Sequence, residues 1–422
     1  MPETLDILLH DRLVGTVTNL GDDRNVFLFD SAYAEDRERP TLSLSFFDEN
    51  RNLSEPTKTP HVRLLPFFAN LLPEGHLHQY LADRGKVNPN RDFPLLWLLG
   101  EDLPGAVTAV HGEGRKPRED SGWPTRAIEE DPDVLKFSLA GVQLKFSAIR
   151  ESSGGLTIPA HGRNGQWIVK MPSPIYDGVP ENEFAMMTFA AKLGIEVPEL
   201  ELVDSSSIAN MPAEIRLDLG PALAVKRFDR TEIARVHVED FNQIYNQYPA
   251  SKYDNVSYGN MLRDIWRILG ERDAREFVRR LVFSIGIGNS DMHLKNWCVI
   301  YRDGKTPALA PAYDFLSTIV YLEDDKLALS MSRTKRWGDI TYDLLERFAR
   351  KAEVPRGIVL ASARQMVSDM RDAWPQMSDV ARLPAAALGK IEHHMDSIPI
   401  FTESKMFGLT PTRATPARDQ IG

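Results

Sequence analysis

Three polar residues near the middle of the chain have the types and the spacing of a phosphotransfer site. Asn296 follows Asp291 by five residues, and Asp314 follows Asn296 by 18. Phosphoryl transfer needs groups that position a hydroxyl, hold metal ions on the phosphates and neutralise developing charge. An Asp that accepts the hydroxyl proton, an Asn five residues later and a further metal-binding Asp meet these needs. The same residues are also typical of a polar turn, so their surroundings must decide.

The segment between Asn296 and Asp314 is predicted to be a hairpin. Residues 297–301 (WCVIY) read as a strand, and the return runs between Pro307 and Pro311. A hairpin of this length brings both oxygen ligands to one cleft. The sequence therefore favours a joint metal site over an isolated turn.

Two amphipathic helices are predicted directly before the loop that carries Asp291. The first has Ser257 as its N-cap and Gly270 as its end. The second begins with Asp273, which has capping-box spacing to Glu276, and ends near Gly286. The loop with Asp291 thus leaves a packed helix, a rigid support for catalysis.

Composition indicates a globular protein of two or three domains. The chain has 422 residues, 42% of them hydrophobic, and a formal charge of −10 that argues against strong DNA binding without a basic partner. The single cysteine, Cys298, excludes an intramolecular disulfide. The apolar run at 93–99 is too short to cross a bilayer, and the N-terminus lacks the features of a secretory signal. We therefore expect a cytoplasmic protein without membrane contact.

The order of patterns predicts an α+β fold of the two-lobed protein-kinase/PI3-kinase-like type, with ATP in the cleft. Strand-like segments dominate the first half and amphipathic helices the second. The predicted parts are an α/β N-terminal subdomain at 1–110, a linker at 111–133, a strand-rich N-lobe at 134–245, a helical C-lobe at 246–405 and a flexible tail at 406–422.

A phosphate-binding loop is predicted at 138–145 (SLAGVQLK), because the sequence has no G-x-G-x-x-G motif. Small residues there let backbone N–H groups approach an anion. Taken alone, such residues are more often only a turn between two strands. The candidate nucleotide-binding residues of this loop are Ala140, Gly141, Val142, Gln143 and Lys145.

Seven motifs in this order resemble the HipA-like serine/threonine kinases, the toxins of bacterial type II toxin–antitoxin modules. A further motif, NLLPEG at 70–75, resembles one in the N-terminal subdomain of that family. The resemblance covers nearly the whole chain. The seven motifs are SLAGVQLK at 138–145, IVKMP at 168–172, ENE at 181–183, VKRFDR at 225–230, EDFNQ at 239–243, GNSDMHLKN at 288–296 and YDF at 313–315.

The resemblance implies roles for residues of the N-lobe. Lys170 would reach the ATP phosphates, and the backbone of Arg227 and Phe228 would hold adenine. Glu183 would orient Lys170 or support the metal site, although a solvent-facing glutamate in a first helical turn is also expected from the helix dipole. Ser138 would be the site of autophosphorylation that switches the enzyme off.

The resemblance also implies roles for the loop that begins at Asp291. Asp291 would be the catalytic base, and Asn296 and Asp314 would bind Mg²⁺ through oxygen atoms. Lys295 would neutralise charge on the γ-phosphate, and His293 would lie against the nucleotide, where a structural hydrogen-bonding role is favoured over acid–base catalysis.

The cofactors implied are ATP and Mg²⁺, and the partners implied are a HipB-like helix-turn-helix antitoxin and, through it, operator DNA. An aminoacyl-tRNA synthetase, such as glutamyl-tRNA synthetase, is the expected protein substrate. Two alternatives stay open: a small-molecule kinase of the same fold, and a catalytically silent scaffold of an antitoxin–DNA complex.

Overall fold

The computed structural model describes residues 3–21, 24–48, 50, 52–54, 63–75, 78–79, 82, 88, 91–111, 144–151, 154–159, 165–211, 215, 217–322, 325–379 and 382–406. The predicted linker from 112 on, the predicted tail from 407 on, and Ser138, Ala140, Gly141, Val142 and Gln143 lie outside these residues.

The N-terminal subdomain is built on a four-stranded antiparallel sheet. Its strands are β1 (Glu3–Leu9), β2 (Arg12–Asn19), β3 (Asn25–Phe29) and β4 (Val107–His111), in the order β3-β2-β1-β4. Alternate residues of β1 and β2 are buried, as the alternating sequence pattern predicted. The helices described beside the sheet are α1 (Ser31–Glu35), α2 (Pro66–Ala69) and α3 (Asp92–Leu99).

The N-lobe contains a five-stranded sheet and one long helix. The strands are β5 (Lys145–Arg150), β6 (Leu156–Thr157), β7 (Trp167–Lys170), β8 (Leu200–Val203) and β9 (Ala222–Lys226), in the order β6-β5-β7-β9-β8. The helix is α4 (Val179–Lys192), which is followed by Gly194 at φ +74°. Strand β5 lies between β6 and β7 in this sheet.

The C-lobe joins a three-stranded sheet to a bundle of helices. The sheet has the order β10 (His237–Asp240), β11 (Cys298–Tyr301), β12 (Ala308–Leu309), and the antiparallel pairing of β11 with β12 confirms the predicted hairpin. The helices are α5 (Phe241–Ile244), α6 (Tyr258–Ile268), α7 (Glu271–Gly286), α8 (Tyr342–Lys351), α9 (Arg356–Ala373), α10 (Ala385–Ser397) and α11 (Pro399–Met406).

Strand β10 falls within the range predicted as N-lobe and pairs with β11 of the C-lobe sheet. The capping box predicted at Asp273 is wrong. Helix α7 begins two residues earlier, after Gly270, and the Asp273 carboxylate accepts from the Leu309 N–H at 3.2 Å. By contrast, Ser257 caps α6 as predicted, in a capping box with Asn260.

The buried apolar residues form two main cores, and the boundary between them does not coincide with the boundary between the lobes. The N-terminal subdomain and the strands of the N-lobe sheet share one core. Helix α4 instead packs into the C-lobe core, where the Phe189 and Phe283 rings lie 5.5 Å apart. The helix that carries Glu183 is therefore fixed to the lobe that carries Asp291 and Asp314.

Candidate active site

Lys170 lies at the centre of the site, at the end of β7. Its Nζ donates to Glu183 Oε1 on α4 and to Asp314 Oδ1 in the loop after β12. Lys145 is the register partner of Lys170 across β5 and β7, and its Nζ lies 3.6 Å from Asp314 Oδ2. The structure thus brings together four charged residues from three regions of the chain.

The charges in this cluster are balanced and largely shielded from water. The side chains of Lys170 and Glu183 are each only 5% exposed. Burial raises the pKa of Glu183, and the negative charge of Asp314 adds to this rise against the opposing charge of Lys170. Burial also acts to raise the pKa of Asp314, but the positive charges of Lys145 and Lys170 outweigh it and hold that pKa well below its usual range.

Glu183 therefore contacts Lys170, and the solvent-facing alternative for this residue is wrong. Its neighbour Asn182 is fully buried and fixes the helix to the loop after Asp314. Asn182 Nδ2 donates to the Ser317 carbonyl at 3.0 Å, and its Oδ1 accepts from the Ser317 N–H at 3.1 Å. These bonds lock the Glu183 helix to the segment that presents Asp314.

The loop that carries Asp291 starts where α7 ends. Gly288 has φ +66°, and the Asp291 N–H donates to Asn289 Oδ1 at 2.9 Å. The Asp291 carbonyl then accepts from Asn296 Nδ2 at 2.7 Å and from the His293 N–H at 2.8 Å. These bonds close the loop on itself, and the Asp291 side chain is left 52% exposed at its surface.

Two aromatic side chains lie against the Asp291 carboxylate. The Tyr253 hydroxyl donates to Asp291 Oδ1, and His293 Nε2 lies 3.8 Å from the same oxygen. The two rings meet edge to face with their centroids 4.9 Å apart. Burial lowers the pKa of His293 to about 4, against the pull of Asp291, so the imidazole is neutral near pH 7.

The two parts of the site meet through short contacts between their loops. The Tyr313 hydroxyl donates to the Lys295 carbonyl at 2.7 Å, next to Asn296 in sequence, while Asn289 Nδ2 donates to the Asp314 carbonyl at 3.5 Å. Asp314 itself has φ +55°, a left-handed conformation that turns the chain sharply. The predicted metal ligands Asn296 and Asp314 are thus on adjacent loops.

The donor set fits magnesium. Asn296 uses its amide nitrogen within the loop, which directs its amide oxygen away from that bond. Mg²⁺ prefers oxygen ligands and is typically held by one or two carboxylates together with substrate phosphates. Among the described residues, no group of three or more His, Cys, Asp or Glu side chains has the arrangement of a metal site. A site of one amide and one carboxylate requires no such group.

Lys295 does not point to the position that the sequence predicted. Its Nζ lies 2.9 Å from the Asn70 carbonyl, 3.3 Å from Glu74 and 3.2 Å from Asp240. This side chain is 8% exposed and faces the N-terminal subdomain. Neutralisation of the γ-phosphate by Lys295 is therefore corrected to an internal ion-pair role, since its charge is already matched by two carboxylates.

The predicted adenine hinge is only partly available. The Arg227 N–H donates to the Gln166 carbonyl at 2.8 Å, and its guanidinium is buried against Asp229 and Asp102. Phe228 packs its ring against Tyr313 with centroids 5.7 Å apart. Adenine binding by this segment therefore has to use its other backbone groups.

Sequence reasoning missed the residues that surround Asp291. Tyr253 lies 38 residues before Asp291, and no local pattern links the two positions. Asn289 had a detectable signal, since an Asn two residues before a key Asp is suited to an Asx-turn.

Within the described part of the chain, no helix has both the length and the apolar character to cross a bilayer.

A two-lobed α+β fold with this arrangement of Lys170, Glu183, Asp291, Asn296 and Asp314 defines a kinase-like protein. Residues 137–374 match the family described as HipA-like C-terminal domain, and residues 5–110 match the family described as HipA N-terminal domain. The chain belongs to the HipA family.

Individual relatives agree with this assignment. Y4dM of Sinorhizobium fredii, named as a candidate kinase, is 48% identical over 406 residues, which cover 94% of this chain and 98% of that protein. The serine/threonine-protein kinase toxin HipA of Shewanella oneidensis is 26% identical over 375 residues, 78% of each protein. A chain of the solved complex of HipA, HipB and operator DNA from S. oneidensis MR-1 has a TM-score of 0.73 at 20% identity, covering 95% of this chain and 99% of that chain. The predicted fold class is confirmed.

Proposed function

We propose that the protein is an ATP- and Mg²⁺-dependent serine/threonine protein kinase that acts as the toxin of a type II toxin–antitoxin system. One observation carries the proposal: Lys170 contacts both Glu183 and Asp314. In protein kinases a strand lysine paired with a helix glutamate, next to a metal-binding Asp, is required for phosphoryl transfer. A protein that only binds partners needs no such arrangement.

The residues of the chain divide the work of the reaction. Lys170, held by Glu183, is positioned to bind ATP phosphates. Asn296 and Asp314 would hold Mg²⁺, which when bound neutralises charge on the phosphates. Asp291 accepts the proton of a serine or threonine hydroxyl as the new bond to the γ-phosphorus forms and the bond to ADP breaks. The half-exposed Asp291 side chain suits a protein substrate that approaches from solvent.

The neutral imidazole of His293 suits packing against Tyr253 and the nucleotide better than proton transfer. Lys145 lies beside Asp314, which supports the proposal that the loop at 138–145 covers the phosphates. Phosphorylation of Ser138 would place about two negative charges near these groups and thereby disfavour ATP binding. This gives the proposed off-switch.

The proposed partners follow from the family and from charge. The S. oneidensis relative is solved with HipB and operator DNA, and we propose a HipB-like helix-turn-helix antitoxin for this chain. With its net charge of −10, the chain would contact DNA mainly through that basic partner. The proposed target is an aminoacyl-tRNA synthetase such as glutamyl-tRNA synthetase, and the proposed location is the cytoplasm.

Purified protein incubated with [γ-³²P]ATP, Mg²⁺ and a cell extract tests the proposal. Label in a protein band of the extract is expected, together with label on the chain itself at Ser138. Label confined to small solutes would instead favour a small-molecule kinase. No transfer at all, with no stabilisation by Mg²⁺-ATP in thermal unfolding, would favour the scaffold alternative. Asp291→Ala is the matched inactive control.

A further inference from the structure

The N-terminal subdomain reaches the catalytic loop through a short segment after α2. Lys295, next to the metal ligand Asn296, places its Nζ 2.9 Å from the Asn70 carbonyl oxygen and 3.1 Å from Asn70 Oδ1. The same nitrogen lies 3.3 Å from Glu74 Oε1. A subdomain that contributes none of the proposed ATP or metal ligands thus contacts the loop on which two of them lie.

Glu74 binds a second lysine on the other side of the loop. Its Oε2 lies 3.0 Å from Lys252 Nζ, while Oε1 faces Lys295. The backbone of Lys252 also supports the loop, since its carbonyl accepts from the Leu294 N–H at 3.2 Å. One carboxylate therefore bridges two cations, with one oxygen for each.

The residue after Lys252 connects this bridge to the proposed base. Tyr253 donates its hydroxyl to Asp291 Oδ1, and the Lys252 ammonium lies 5.6 Å from the centre of the Tyr253 ring. The ammonium that pairs with Glu74 thus lies against the Tyr253 ring. Tyr253 in turn is hydrogen-bonded to the carboxylate that must accept the substrate proton.

The bridge is shielded enough to act as a strong constraint. The side chains of Glu74 and Lys252 are each 12% exposed, and that of Lys295 is 8% exposed. Burial acts to raise the pKa of Glu74, but the charges of Lys295 and Lys252 outweigh it and lower that pKa, so the carboxylate is ionised near pH 7. Lys252 Nζ donates a charge-assisted hydrogen bond to Glu74 Oε2, whereas Lys295 faces Oε1 as an ion pair without hydrogen-bond geometry. Shielded contacts between charged groups hold geometry more firmly than exposed ones.

We propose that Glu74 is a positioning residue for phosphoryl transfer, which fixes Asp291 and Asn296 through Lys252 and Lys295 and makes the N-terminal subdomain part of the catalytic apparatus. The inference rests on the proposed kinase function for its kinetic consequence. Its structural consequence, an ordered loop at 289–297, does not depend on activity. The positioning role of Glu74 and the kinase function can therefore be refuted independently of each other.

The matched control lies at another contact between the same subdomain and the C-lobe. Glu38 pairs with Lys305, but these side chains are 84% and 43% exposed. Glu38→Gln removes the same charge from a solvated ion pair, which contributes little in general. If the two variants differ in deuterium uptake or in transfer rate, the difference is due to the contacts of Glu74 with Lys252 and Lys295. Weaker attachment of the subdomain or a change in net charge would affect both variants alike.

Hydrogen–deuterium exchange on the full chain tests the structural part. Glu74→Gln should raise deuterium uptake in peptides that cover 289–297 and 250–255, while uptake in β9 and in α9 stays at the wild-type level. Glu38→Gln should change neither loop peptide. Unchanged uptake at 289–297 in Glu74→Gln overturns the inference, whether or not the wild-type protein transfers phosphate. A uniform rise over the whole chain also overturns it, because that result means general destabilisation.

Kinetics with [γ-³²P]ATP tests the catalytic part. Glu74→Gln should lower the transfer rate at saturating Mg²⁺-ATP roughly 10- to 100-fold, the loss typical of a small misplacement of reacting groups. The dissociation constant of Mg²⁺-ATP should rise by a smaller factor than the rate falls, since Lys170, Glu183 and Asp314 keep their contacts and only Asn296 lies on the loosened loop. Glu74→Asp, whose shorter chain keeps the charge, should recover part of the rate. Equal rates for wild type and Glu74→Gln overturn the inference and leave the kinase proposal intact, whereas an inactive wild type overturns the kinase proposal.

Discussion

The substitution Lys170→Met tests the central cluster most directly. It removes the cation that Glu183 and Asp314 share and keeps a side chain of similar length in the 5%-exposed position. Asp314 retains Lys145 at 3.6 Å and is 25% exposed, so it tolerates the loss. Glu183 is buried on α4, and Lys170 is the cation it contacts. Most of the stability that Lys170→Met costs is therefore lost because Glu183 no longer has a cation beside it.

That cost has an upper bound set by protonation. A buried carboxylate without its cation takes up a proton once this is cheaper than remaining charged. From an ordinary value of 4.5, protonation at pH 7 costs at most about 3.4 kcal/mol, at 1.36 kcal/mol per pKa unit. At pH 5 the same step costs below about 1 kcal/mol. Since the folded-state pKa of Glu183 rises further above its unfolded value in the variant, the variant gains stability relative to wild type as pH falls from 7 to 5.

Urea denaturation of wild type and variant at pH 7 and pH 5 measures this difference. The double variant Lys170→Met/Glu183→Gln carries neither charge and should recover stability to within about 1 kcal/mol of wild type, while phosphate transfer stays abolished. A single variant as stable as wild type at pH 7 would refute the reasoning, and so would a deficit that does not shrink at pH 5. Recovery of stability without recovery of activity separates the structural role of Lys170 from its role at the phosphates.

Three further predictions concern Asp291 and Gly288 in the catalytic loop and the buried His237, whose Nε2 lies 2.7 Å from the Leu42 carbonyl oxygen of the N-terminal subdomain. Asp291→Ala should abolish label transfer and growth arrest at wild-type thermal stability, because its side chain is half-exposed; growth arrest in that variant would contradict the base assignment. Gly288→Ala should lower the melting temperature, since φ is +66° and an added Cβ would lie 2.4 Å from Ile319 Cγ1; an unchanged melting temperature would argue against this loop geometry. Burial holds the pKa of His237 at about 4, below its unfolded value, so unfolded chains bind more protons and the contribution of His237 to stability should rise by about 2 kcal/mol between pH 5 and 7. His237→Gln should reduce the measured rise in stability by this amount in urea titrations, and an unaltered rise would contradict the buried, neutral state of His237.

The sequence could indicate candidate residues for the site because their types recur at short spacing, while their chemical roles stay predictions. Asp291 and Asn296 share one loop, and Lys170 ends a strand whose pattern is evident in four residues. The contact of Glu183 with Lys170 was only one of two alternatives, because a first-turn glutamate also suits solvent. Burial of the first turn of α4 against the loop at Ser317 decides between them, and that depends on tertiary packing.

The residues that the sequence misplaced are those whose partners lie far away in the chain. Lys295 was assigned to the phosphate from its neighbours, but its nitrogen contacts Asn70, 225 residues earlier. Asp273 had the spacing of a helix cap and instead accepts from Leu309. In both cases the local sequence pattern does not show the long-range hydrogen bond that the residue makes in the fold. The long-range bond forms because the buried donor would otherwise be left unpaired, which is costly.

The site is framed by two charge-balanced clusters that differ in exposure, and this difference assigns them different tasks. Lys170 and Lys145 oppose Glu183 and Asp314, whereas Lys295 and Lys252 oppose Glu74 and Asp240, and Asp314 is the most exposed of the eight at 25%. In the proposed kinase, the nucleotide and its metal would therefore reach the first cluster at Asp314 while Glu183 keeps Lys170 in place. The members of the second cluster are only 8% to 12% exposed, so the task that we propose for it is to position the loop and not to bind the ligand.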